Sequence, residues 1–175
     1  MVLDIEVPDD LEHYLRAHHY ISPDEVVDCR PLSGGVSNRT VLVQRNNGEA
    51  WVVKQALEKL RVTVDWYSSP VRIHNEAAGL RELAHLLPPG AVPTLIFEDC
   101  EQHLLAMSAV AEPHENWKSM LLRGQLADDH IKQFATLLGQ LHRQSAEQAV
   151  LLAERFADCS FFEALRLEPY YAYTA

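Results

Sequence analysis

Between Ser33 and Ala77 the chain carries three groups of residues whose types and spacing could do chemistry. The first is Ser33-Gly34-Gly35-Val36-Ser37-Asn38. Glycines let backbone N–H groups turn toward an anion without side-chain obstruction, and Ser37 and Asn38 can add side-chain donors. The second is Lys54, which closes the apolar stretch Trp51-Val52-Val53 and could bridge adjacent phosphates. The third is Glu76 in Arg72-Ile73-His74-Asn75-Glu76-Ala77, one turn after Ile73, where a carboxylate could hold the lysine in place. Glu82 is a reserve partner, although it falls elsewhere on the helical wheel. Each group alone has a plainer reading. Gly-Gly can be a tight turn, and a lysine at a strand end can be merely solvated. The loop also matches neither G-x-x-x-x-G-K-[ST] nor G-x-G-x-x-G. The order of the three is what points to a grip on nucleotide phosphates.

The elements that must position these groups follow from apolar periodicity and turn residues. Pro8 to about His18 reads as a helix, with Pro8-Asp9-Asp10 supplying a cap and first-turn acids ahead of Leu11, Tyr14 and Leu15. Val26–Leu32, Thr40–Gln44 and Ala50–Ala56 read as strands of an antiparallel meander, with Asn46-Asn47-Gly48 as a hairpin turn whose central positions tolerate positive φ. Ser68-Ser69-Pro70 announces a helix with the apolar stripe Ile73, Ala77, Leu80, Leu83 and Ala84. Val92–Phe97 and His103–Val110 read as two further strands. Helices follow over Asn116–Arg123, Asp128–Gln144 behind an Asp128-Asp129 cap, and Val150–Leu167 with an interruption near Asp158. The expected class is α+β, a five-stranded antiparallel sheet with one packed helix and then the start of a helical region. The divisions are residues 1–25, an N-terminal helical segment; 26–111, the sheet lobe; and 112–175, the incomplete helical lobe.

Bulk properties narrow the partners. The 175 residues carry a formal charge of −10, which repels phosphodiester backbones and anionic lipid, so neither nucleic acid nor a membrane surface is an expected partner. The acidic start Met1-Val2-Leu3-Asp4 lacks a secretory pattern, and no apolar run is long enough to span a bilayer. Cys29, Cys100 and Cys159 are widely spaced, as in a reduced, cytoplasmic protein, with Cys100 read as buried packing. The histidines lack metal-ligand spacing, so no metal site is expected among them. Trp66 and Tyr67 are read either as lid-like or as packing.

From Leu32 to about His142 the chain resembles the aminoglycoside phosphotransferase-like kinases, relatives of methylthioribose kinase, choline kinase and homoserine kinase. The matching elements are Leu32 to Asn38, Val53-Lys54, Arg72 to Arg81, Leu104 to Met107, and Leu137 to His142. The tail Phe161 to Tyr171 is similar to the helical insert of some members. The resemblance implies a protein-kinase-like fold, an ATP-dependent transfer to a hydroxyl of a small-molecule acceptor, and Mg2+. It implies nucleotide contacts from Gly34, Gly35, Ser37, Asn38, Lys54 and Glu76. Met107 would abut the adenine pocket, and the Ser108 carbonyl and Val110 amide would meet the base. Most relatives carry an acidic residue where Ser108 sits, a change that a backbone contact tolerates.

One departure is large. The family places an H-G-D-x-x-x-x-N segment after the helical insert, with a further metal-binding aspartate beyond it, and neither is present in this sequence. The catalytic aspartate and asparagine and the magnesium ligands are therefore expected beyond Ala175, and this chain is expected to be inactive alone. An exposed apolar patch where further helices would pack is expected to favour a dimer or aggregation. The acceptor is expected to be a methylthioribose-like or other metabolite. The competing reading is a non-catalytic nucleotide- or protein-binding module of degenerate kinase fold.

Overall fold

The computed structural model describes residues 3–172. Met1, Val2, Tyr173, Thr174 and Ala175 lie outside the described residues, and with them the first two positions of the acidic start. Five antiparallel strands form one sheet in the order β1-β2-β3-β5-β4. They are β1 Val27–Pro31, β2 Asn38–Arg45, β3 Ala50–Ala56, β4 Leu95–Asp99 and β5 Leu104–Ser108. Proline at the end of β1 is tolerated because β1 is an edge strand. The central strand β3 is paired on both sides, with Thr40 opposite Lys54 on β2 and Leu105 opposite it on β5. Two ladders therefore fix the backbone that carries the lysine.

The β2–β3 turn differs from the expected pattern. Gly48 has φ 90°, whereas Asn46 and Asn47 do not adopt positive φ. Gly48 N–H donates to the Arg45 carbonyl at 3.2 Å, and Arg45 N–H to the Glu49 carbonyl at 2.9 Å. A single left-handed glycine closes a three-residue loop, and that conformation is easiest for glycine.

Strand alternation sends Trp51 and Val53 to one face and Val52 and Lys54 to the other. The first face is covered by α1, Pro8–Ala17. Leu11, Tyr14 and Leu15 of this helix cluster with Val41, Val43, Trp51, Val53 and Phe97. Leu11 and Leu15 are fully buried, each worth about 1.5–3 kcal/mol relative to exposure. The Tyr14 hydroxyl donates to Asp99 Oδ2 at 2.6 Å, tying the helix to the end of β4. The expected side-chain cap is not formed, because Val7 occupies that position; Pro8 opens the helix and Asp9 and Asp10 act on its positive end through charge.

The lysine face is covered by a 3-10 turn, Pro70–Arg72, that runs into α2, Ile73–Leu86. Ser69 Oγ accepts from Val71 N–H at 3.4 Å and starts the turn. Ile73 and Ala77 pack against Ala56 and Leu105, with Leu95 and Met107 at the edge of the cluster. The expected stripe fails at its far end, where Ala84 is exposed and Glu82 is buried. That end has left the sheet and meets the later helices, where Glu82 is ion-paired with Arg155.

Those later helices are α3 Trp117–Leu122, α4 Asp128–Glu147, α5 Ala149–Arg155 and α6 Ser160–Phe162, followed by a π-helical stretch, Glu163–Ala172. Asn116 caps α3 by accepting from Lys118 N–H at 2.9 Å. The cap of α4 is Ala127 rather than an aspartate; Asp128 and Asp129 lie in its first turn. Beyond the Glu82 pair, Gln140 Nε2 donates to the Leu86 carbonyl at 3.4 Å, so polar contacts join these helices to α2. Their apolar residues remain substantially exposed, among them Leu122, Ile131, Phe134 and Val150.

Candidate functional site

Lys54 and Glu76 meet. Lys54 Nζ lies 2.6 Å from Glu76 Oε1, with side-chain exposures of 24% and 36%. The lysine is placed by the β3 ladders, and the glutamate by the first turn of α2, whose Ile73 and Ala77 anchor it on the sheet. Glu82 turns toward Arg155, so it does not compete for the lysine. An ion pair this open to solvent adds only about 0.2–1 kcal/mol to stability. Its consequence is positional, because it holds an ammonium at the wall of a cleft.

The glycine-containing loop connects β1 to β2. Gly34 has φ 107°, yet a Cβ there would meet nothing within 4 Å, so conformation rather than crowding calls for glycine. Gly35 has no such φ, and its added Cβ would make an ordinary contact with the Asn38 carbonyl at 3.6 Å. Among the described residues no backbone hydrogen bond engages Ser33, Gly34 or Gly35, which leaves their N–H groups available. The next two residues are tied down. The Val36 carbonyl accepts from Arg61 N–H at 2.8 Å, and the Ser37 carbonyl from Leu57 N–H at 3.0 Å.

Among the described residues, one cavity opens beside the β1–β2 loop and another beside the end of β5. The first, of about 610 Å³, brings Ser37, Asn38, Lys54 and Glu76 together with Arg72. Its far wall is built by Asp158, Phe161, Phe162, Leu165 and Arg166. The second, of about 840 Å³, is bounded by Leu32, Leu42 and Val52 and by Ser108, Ala109 and Val110. Val52 shares the sheet face of Lys54, two positions along the same strand. Gly34, Gly35 and Met107 line neither cavity; Met107 packs beside Leu105 beneath α2. Ser108 N–H donates to the Thr94 carbonyl at 2.8 Å, and Ser108 Oγ accepts from Thr94 N–H at 2.9 Å. Ala109 N–H is taken by the Ala50 carbonyl at 2.8 Å, whereas the Val110 N–H has no hydrogen-bond partner among the described residues.

The sequence reading missed several groups. Arg72 is 8% exposed and lines the first cavity, but its neighbourhood of carbonyl oxygens is assembled from three separate stretches of chain. Burial pushes its pKa below the ordinary arginine value. Asp158 and Arg166 are too far along the chain for spacing to associate them with Lys54. The Asp158 carboxyl accepts hydrogen bonds from Ser160, which hold its pKa below the usual value.

A third grouping lies at the end of β4. His74 Nδ1 lies 2.5 Å from Glu98 Oε1, His74 Nε2 lies 3.1 Å from His103 Nδ1, and Glu98 also meets Arg81. One ligand atom each from His74, Glu98 and Cys100 falls within 4.8 Å of the others. Cys100 is exposed, contrary to the expectation of buried packing, because it lies in the β4–β5 turn. Trp66 and Tyr67 line neither cavity; Tyr67 is stacked under Lys59 Nζ at 5.7 Å.

A five-stranded antiparallel sheet whose third strand presents a lysine to the first turn of a packed helix, beside a glycine-containing β1–β2 loop, is the architecture of a kinase-type lobe. Residues 28–171 match the phosphotransferase enzyme family, and the chain belongs to it, among the aminoglycoside phosphotransferase-like proteins. Comparison with curated proteins gives no match. Kinase-type phosphotransfer is thus the class of chemistry to which the chain belongs. Among the described residues, no helix is long and apolar enough to cross a membrane.

Proposed function

We propose that this chain binds ATP, as the nucleotide-holding part of an enzyme that transfers a phosphoryl group to a hydroxyl of a small molecule. The observation that carries the reading is the 2.6 Å Lys54–Glu76 contact at the wall of a cleft beside a loop with unengaged amides. An oriented ammonium and free backbone N–H groups are what phosphate oxygens require. In this reading residues 26–111 form the nucleotide lobe and 112–175 the beginning of a helical lobe.

The residues present fit ATP. Leu32, Leu42 and Val52 offer apolar surface for a base in the larger cavity, and the unpartnered Val110 N–H offers an edge donor. The Ser108 carbonyl is the proposed companion acceptor, with Met107 packed behind. Gly34, Gly35, Ser37 and Asn38 would close over the phosphates, Lys54 would clamp them and Glu76 would keep Lys54 aimed. The two carboxylates that line the smaller cavity do not fit a magnesium site of their own. Glu76 is engaged by Lys54, and Asp158 by Ser160. The metal would arrive with the nucleotide and take its ligands from other residues.

Phosphoryl transfer depends on positioning and on neutralising charge at the reacting oxygens. No H-G-D-x-x-x-x-N segment occurs in the 175 residues, so the reading assigns them nucleotide binding without turnover. The same observation favours the second reading, a binding module that never transfers phosphate. A phosphotransfer screen against sugars, amino alcohols and aminoglycosides, run with this chain and with any longer protein that contains it, separates the two.

The test of the first reading is calorimetric titration with ATP. Lys54→Ala is expected to weaken binding about tenfold or more, and Glu76→Gln by less, since the ammonium remains. Equal ATP affinity in folded wild-type and Lys54→Ala protein, or none in either, would overturn it.

A further inference from the structure

Arg72 is a buried cation with no carboxylate partner among the described residues. Its guanidinium instead donates to four backbone carbonyls. Nη1 reaches the Ser68 oxygen at 2.8 Å and the Ser69 oxygen at 3.0 Å. Nη2 reaches the Leu57 oxygen at 2.8 Å and also the Ser37 oxygen. These carbonyls come from the glycine-containing loop, the end of β3 and the entry to α2. Desolvating a charged group is costly unless its donors are satisfied, and here the four oxygens supply that compensation.

The position of this residue gives the contact a consequence. Arg72 precedes Glu76 by four residues, so one turn of the α2 entry carries both a hold on the loop and a hold on the lysine. The loop itself is divided. Its tip, Ser33 to Gly35, has no backbone hydrogen bonds among the described residues, whereas its stem, Val36 and Ser37, is pinned by Arg61, Leu57 and Arg72.

We propose that Arg72 is a positioning residue that sets the glycine-containing loop against the Lys54–Glu76 pair, so that the phosphate grip is preformed and loop, helix and lysine move as one unit. The inference extends the ATP-binding reading, yet the loop anchoring can be measured with no nucleotide present. A second consequence is electrostatic. The cavity wall carries Lys54, Arg72 and Arg166 against Glu76 and Asp158, a local positive excess in a chain of net charge −10. A buried cation contributes more to that field than a solvated one.

Lysine at this position keeps the charge but lacks the planar fork, so it cannot serve four carbonyls at once. The experiment uses the full chain as wild type, Arg72→Lys and Arg72→Gln. Amide hydrogen exchange is followed by NMR without ligand, and ATP and adenosine are titrated calorimetrically. In folded Arg72→Lys, the amides of Leu57 and Arg61 are expected to exchange at least about tenfold faster, while those of β2 and β5 stay unchanged. ATP affinity is expected to fall about tenfold and adenosine affinity by less than about twofold, a split that general destabilisation would not produce.

Unchanged exchange at Leu57 and Arg61 in a folded variant overturns the proposal, whatever the nucleotide does. Unchanged ATP affinity in Arg72→Lys, with Lys54→Ala still impaired, overturns its functional half. Loss of ATP binding in no variant, or absence of binding in the wild type, is instead a failure of the ATP reading. Should neither variant fold, the wild-type Arg72 guanidinium protons decide the matter. Protection from solvent exchange supports the anchored fork, and free exchange refutes it.

Discussion

Leu11→Ala tests whether the N-terminal helix is a structural layer behind the lysine strand. Leu11 is fully buried against a cluster that includes Val41, Val43, Trp51 and Val53. The substitution removes three carbons, worth roughly 0.8 kcal/mol each, or roughly 2.4 kcal/mol in transfer free energy. The rigid strands behind it limit collapse, so a residual cavity brings the total to about 3 kcal/mol, within the usual range for such sites. The better helix propensity of alanine returns only a few tenths of a kcal/mol. For a chain of this size the thermal midpoint should fall by about 6–12 °C. Circular dichroism of the variant beside Leu122→Ala is the assay. Leu122 is 78% exposed, so its truncation should cost less than about 0.5 kcal/mol. Equal shifts in the two variants would refute the reasoning, because α1 would then contribute no more than a solvated helix.

Three further outcomes are expected. Burial works against ionisation of Asp99, but hydrogen bonds from Tyr14, Gln102 and Glu101 outweigh it and hold the carboxyl below its usual pKa. Such a group stabilises the fold above its unfolded pKa and loses that contribution as pH falls through its folded value. Tyr14→Phe should therefore cost about 1–2 kcal/mol in urea unfolding at neutral pH, with the difference shrinking once the carboxylate is protonated; a pH-independent difference would contradict this. Gly34→Ala should cost about 1–3 kcal/mol through its φ of 107°, whereas Gly35→Ala should be nearly neutral, as read by thermal unfolding. Burial, with smaller contributions from Glu12 and Asp28, pushes the Cys29 thiol up to about 11, while Cys100 and Cys159 are exposed. A disulfide reagent near neutral pH should modify the two exposed thiols first, and equal rates would contradict the described burial.

Much of the sheet and the meeting of Lys54 with Glu76 was legible because both rest on local patterns. Alternation in β3 sends Lys54 and Val52 to one face, and helical spacing sends Glu76 toward that face with Ile73 and Ala77. The failures have one local cause and several long-range ones. Gly48 alone supplies the positive φ of its turn, so the asparagines did not need to. Ala84 and Glu82 exchanged roles because α2 overruns the sheet and meets Arg155, a contact no periodicity encodes. Arg72 escaped notice for a related reason. Its partners are backbone carbonyls, which leave no side-chain signature in a sequence. Asp158, Phe161 and Arg166 reach the cleft only through the path of the later helices, and their residue types gave no hint of it.

The most direct measurement treats the protein with an acyl-phosphate derivative of ATP, which acylates an amine lying against the nucleotide phosphates, and locates the modified residue by mass spectrometry. Lys54 should be labelled, and excess ATP should suppress the label. Labelling spread evenly over Lys54, Lys59, Lys118 and Lys132, or indifferent to ATP, would contradict a phosphate site at the Lys54–Glu76 pair.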